Sequence, residues 1–120
     1  MTRPVGWPDR LPDPQSPEFA SAAVDWLLDL GPGEWRTLPG LRECPPALAL
    51  RASCEIQGRL EAARTAYAGL RTSLADVVGP EEVERALGAL EAEGAGLLAR
   101  QREVALVEEA LRGRRWRARM

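Results

Sequence analysis

Five of the sixteen arginines stand in one short run at the C-terminus, Arg112, Arg114, Arg115, Arg117 and Arg119, with Trp116 among them and no acidic residue. The other eleven share the chain with all eighteen acids, so a +5 tail hangs from a −7 body. Arginines around an aromatic ring can hold phosphates and stack on a base, as single-strand binders do. They can equally touch anionic lipid or an acidic protein surface. The same cations also compensate the dipole at a helix C-terminus and neutralise an acidic body, whether this chain's own or a second copy's. The body repels phosphate, which ranks nucleic acid below self-association and a protein partner.

Catalytic chemistry has little to work with. The chain has no histidine and no lysine, so the commonest general base and the commonest metal ligand are both missing. Cys44, Cys54, Ser53 and Thr65 have no imidazole to activate them, and no glycine-rich phosphate loop is present. Acidic clusters at Glu81, Glu82 and Glu84, at Glu91 and Glu93, and at Glu103, Glu108 and Glu109 bring a di-iron bundle to mind. That chemistry uses Glu-x-x-His pairs, however, and most of these glutamates have arginines within helical reach, as Glu55 has Arg59 and Glu81 has Arg85. They read as solvated faces, with Glu108 on the seam described below as the exception. Cys44-Pro45 matches the dipeptide of haem-regulatory sites, but proline here serves better as a helix initiator. The cysteines lack metal or redox spacing, and a helix from Pro46 carries Cys54 too far from Cys44 for an easy bridge. No catalytic residue, cofactor or metal site is expected.

The elements that must position these residues are helices. Alanine and leucine are abundant and aromatics few, as in helical bundles. Residues 1–15 form a proline-rich arm, expected to be extended, with Trp7 and Leu11 as its large apolar anchors. It has no continuous apolar segment, so neither a secretory leader nor a membrane span is expected and a cytoplasmic location is. Ser16-Pro17-Glu18 announces a short helix over about 17–30, with Phe19, Ala23, Trp26 and Leu30 on one face, ended by Gly31-Pro32. The connection to Pro46 is long, which predicts a helical turn around Glu34 to Leu38. Two long helices follow, about 46–78 and 80–112, divided at Gly79-Pro80, with Gly113 placed as a C-cap.

An antiparallel hairpin is implied by the match between the two long stripes. Ser53, Ile56, Leu60, Ala63, Tyr67, Leu70 and Leu74 face Val104, Gln101, Leu97, Gly94, Leu90, Leu87 and Val83, each pair of position numbers adding to 157. Such matching is what a shared seam requires. Leu70 with Leu87, Tyr67 with Leu90 and Leu60 with Leu97 should make full apolar layers, and Ala63 opposite Gly94 should let the backbones approach closely. Val104 to Val107 make the last helix apolar nearly all round, so the N-terminal helix and the Trp35 loop should pack there. The fold expected is all-α, a long hairpin braced by a short helix as one domain over 16–112, with a tail over 113–120. A bare two-helix end buries little, which predicts pairing into a larger bundle as a homodimer.

Asp25-Trp26-Leu27-Leu28-Asp29, the Pro39 to Pro46 connection, and Val104 to Arg115 resemble segments of small all-helical proteins of high-GC actinobacteria. That resemblance covers most of the chain beyond Pro17 and implies a helical fold without implying an activity. The functional expectation is a non-enzymatic scaffold or accessory protein acting through self-association and protein contacts. The alternatives are a small nucleic-acid-associated factor using the tail, and a bundle that binds an apolar ligand near Trp26 and Trp35.

Overall fold

The computed structural model describes residues 3–119, with side chains up to Gly113. It is all-helical, and no strand occurs among the described residues. In order come α1 (Phe19–Leu30), a 3₁₀ helix (Gly33–Thr37), α2 (Pro39–Arg42), α3 (Pro45–Leu74) and α4 (Pro80–Arg119). The two long helices pack against each other as a hairpin. Two compact units result, one of residues up to Glu55 with those from Gln101 onward, the other Ile56–Arg100.

The first unit holds most of the core. Phe19, Ala23, Val24, Trp26, Leu27 and Leu28 bury one broad face of α1, and Leu48, Ala49, Ala52, Val104, Val107 and Leu111 are buried in the same unit. The arm, expected to be extended, is instead a chain of turns. Trp7, Leu11 and Ser16 each donate a backbone N–H to the carbonyl three residues earlier, at Pro4, Pro8 and Asp13. Gly6 has φ +85°, at the third position of the first turn, where a type II turn reserves a place for glycine. At the third, Asp13 Oδ1 accepts from Gln15 N–H at 2.7 Å, the local bond that lets aspartate start a turn. These turns fold Trp7 back so that its ring lies 5.4 Å from that of Phe19, while its Nε1 donates to the Pro12 carbonyl at 3.1 Å.

Helix boundaries depart from expectation in ways local physics explains. Glu18 rather than Ser16 is the residue before α1; the Ser16 hydroxyl is engaged one step earlier, accepting from Glu18 N–H and donating to Glu18 Oε1. The Glu34 to Leu38 turn is present as the 3₁₀ helix, and Pro39 then opens a further four-residue helix that the spacing did not reveal. α3 stops at Leu74, four residues short, because Val77 and Val78 are β-branched and precede the restricting Gly79-Pro80 step. α4 continues through Gly113 instead of ending there. One glycine costs only about 1 kcal/mol, and the arginine-rich residues beyond it are good helix formers.

In the second unit one ion pair bears on the register. Arg71 Nη2 meets Glu84 Oε2 at 2.8 Å between α3 and α4, a pairing within two positions of the predicted constant. Buried along the seam are Ile56, Leu60, Ala63, Val83, Leu87 and Val104, while Ser53, Leu70, Leu90, Gly94, Leu97 and Gln101 are half-buried. Tyr67 and Leu74 are 42% and 36% exposed, so the Tyr67 layer does not close as anticipated. Nor is Gly94 a close-contact site, because a Cβ added there meets nothing within 4 Å. Leu60, Tyr67, Leu90 and Leu98 line the space around this pair. A pair of small residues between them leaves a gap rather than a closer approach.

Glycines at 58, 88 and 96 also have open space around a would-be Cβ and lie exposed within α3 and α4. They weaken their helices with no packing return. Gly58→Ala and Gly96→Ala should each raise stability by about 0.5–1 kcal/mol. Urea unfolding checks this: the double variant should shift its midpoint upward at unchanged slope, and an unshifted or lower midpoint refutes it.

Candidate association surface

Between α3 and α4 in the second unit lies an apolar groove of about 360 Å³, lined by Leu60, Ala63 and Tyr67 on one side and Leu90, Gly94, Ala95 and Leu98 on the other, with Arg64 and Glu91 among its walls. Ala63 and Gly94 are too small to fill it, and Tyr67 and Leu98, exposed at 42% and 38%, stand at its rim. The rim carries opposite charges on opposite helices, Arg64 on α3 and Glu91 on α4. Seven residues nearer the corner on each helix, Arg71 and Glu84 occupy the same helical face and close the hairpin with their ion pair. Around the groove the charges stay apart. Arg64 reaches only Glu61, at 3.5 Å, and Glu91 has no ion pair among the described residues.

Leu98, Ala95, Glu91 and Arg64 were not assigned to the seam by sequence reasoning. A signal for them exists: Leu98, Ala95, Glu91, Gly88 and Glu84 step by threes and fours beside the main stripe, marking a second face that a two-helix hairpin leaves uncovered.

Of the tail residues Arg112 alone falls within the described side chains. Its Nε and Nη2 both donate to Glu108 Oε2, at 3.3 and 2.8 Å. Glu108, the seam acid set apart in the sequence, is thereby paired along its own helix. Arg114, Arg115, Trp116, Arg117 and Arg119 lie outside the described side chains. Glu55 pairs with Arg51, one turn before it, at 3.1 Å. Both cysteines are free thiols, no cluster of metal-ligating side chains occurs among the described residues, and no described helix is long and apolar enough to cross a membrane. Trp26 and Trp35 are both buried, and the Arg51 guanidinium lies over the Trp35 ring, 5.0 Å from the ring centroid.

The groove and its split rim define the candidate site, an apolar cleft between α3 and α4 with opposite charges on its two walls. No family model matches the chain, and neither a curated protein nor a solved structure matches it.

Proposed function

We propose that this protein is a non-enzymatic helical scaffold that acts through self-association, with the hairpin unit as its association surface, and through contacts with protein partners. The groove carries the reading. An apolar cleft with an aromatic and a leucine at its rim is costly to leave in water, and a lone two-helix segment offers too little burial to hide it. Packing a second hairpin on the same face makes a four-helix bundle, the usual solution for such a segment.

The test is sedimentation velocity at micromolar concentration on the full chain and on Tyr67→Glu/Leu98→Glu, which places two carboxylates at the rim. A dimer is expected for the natural chain and a monomer with unchanged far-ultraviolet dichroism for the variant. A natural chain that sediments as a monomer overturns the reading.

A further inference from the structure

We infer that two copies of the hairpin pack about a two-fold axis running parallel to the helices, so that Arg64 of each copy pairs with Glu91 of the other across the groove. The inference rests on the self-association proposed above and specifies its geometry. A two-fold interface presents the same patch twice, so the patch must complement itself. This one does. Within the hairpin unit α3 carries Arg59, Arg64 and Arg71 against Glu61 alone, whereas α4 carries five glutamates against Arg85 and Arg100.

Two arrangements can stack one hairpin face on another. An axis perpendicular to the helices places α3 over α3 and α4 over α4, setting like charges against each other. An axis parallel to them places α3 over the partner's α4, arginine against glutamate, with every neighbouring pair antiparallel. The parallel axis also preserves height along the bundle. In the hairpin register Arg64 lies level with position 93, so the partner's Glu91 comes about 3 Å from that level, within reach of an arginine side chain.

The groove's contents agree with this placement. Tyr67 leans toward the N-terminus of α3, as helical side chains do, which carries its ring to the level of Gly94. The space beside Gly94 is open in the single chain, and in the paired arrangement the partner's Gly94 leaves the ring room on the second side. Near the corner Arg71 and Glu84 already satisfy each other at 2.8 Å, whereas at the groove Arg64 has a longer, 3.5 Å contact with Glu61 on its own helix.

The experiment is a charge reversal combined with a distance. Sedimentation equilibrium on Arg64→Glu, Glu91→Arg and the double variant reads the pairing, since symmetry counts each substitution twice. Each single reversal should weaken dimerisation about tenfold, and the double should return it to within about threefold of the natural chain. Both residues are exposed, so the variants keep the fold. A spin label at Val77→Cys, in a chain with Cys44→Ser and Cys54→Ser, reads the axis. Val77 is an exposed corner residue, and a parallel axis brings the two corners to one end, within about 30 Å, whereas a perpendicular axis through the groove parts them by more than about 40 Å. Absence of any dimer overturns both this inference and the self-association beneath it. A dimer with distant corners, or one whose double reversal fails to recover, overturns the geometry alone.

Discussion

Gly31→Ala should be among the most damaging single substitutions in this protein, costing about 3 kcal/mol and lowering the melting temperature by roughly 10–15 °C. Gly31 follows α1 in extended backbone, φ −115° and ψ −174°, a conformation any residue adopts, so backbone freedom is not what it supplies. What it supplies is absence. A Cβ at this position would clash with Cζ3, Cε3 and Cη2 of the Trp35 six-membered ring at once. That ring is 3% exposed and lies under the Arg51 guanidinium from α3, so it joins the end of α1, the 3₁₀ helix and the start of α3 within one unit and has nowhere to retreat. Differential scanning calorimetry on Gly31→Ala, with Gly33→Ala beside it, checks the claim. Gly33 has no atom within 4 Å of its would-be Cβ, and its replacement should stay within about 0.5 kcal/mol of the natural chain. The clash also predicts non-additivity: in a Trp35→Leu background, Gly31→Ala should cost little more. Equal melting temperatures for Gly31→Ala and Gly33→Ala would show that Trp35 does not need the space.

Trp7→Ala should cost about 3–5 kcal/mol, the usual loss for emptying a large buried aromatic site. An extended arm would leave this residue dispensable. The turned arm makes it part of the core: Trp7 is 6% exposed, it tilts against Phe19 at 42°, and its indole N–H is held by Pro12. Phe19 and Leu11 are themselves almost wholly buried, and removal of the indole opens a path for water to both. Val5, two residues earlier and 99% exposed, is the matched control, and Val5→Ala should be neutral. Urea unfolding followed by far-ultraviolet dichroism separates these outcomes. A midpoint for Trp7→Ala close to that of Val5→Ala would mean the arm is not part of the core.

The surface proposals depend on different residues from the core predictions, and the two can fail independently. Gly31 and Trp7 lie in the unit that contains α1, whereas Tyr67, Arg64, Glu91 and Leu98 lie in the hairpin unit. A monomeric protein would leave the Trp35 and Trp7 predictions untouched, and a stable Gly31→Ala variant would leave the groove where it is.

Much of the fold was legible in the chain itself. Threes and fours between Ile56 and Leu74, repeated in reverse between Val83 and Val104, determine two helices and their register, because residues at that spacing share a face and a shared face must be covered. Gly79-Pro80 determines the reversal, since proline at that point lacks the N–H and the clearance to continue α3. Phe19, Trp26 and Leu27 declare the buried face of α1 in the same way. Periodicity reports which side of a helix is apolar.

It does not report how far apart two helices stand, and there the tertiary structure decided. Ala63 and Gly94 promised close approach, yet a Cβ at Gly94 would meet nothing within 4 Å, and the small pair became part of the lining of a groove. Arg64 and Glu91 looked like any other solvated charges until that groove placed them on its two walls. The need for Gly31 was hidden as well, because it arises from a ring four residues away folding back over the backbone; Trp7 was legible as an anchor of the arm, but the turns that bring it to Phe19 were not. A stripe is a property of one helix and can be read from the sequence of that helix; a gap, a clash or a self-complementary rim belongs to the arrangement of several elements, and exists only once they are packed.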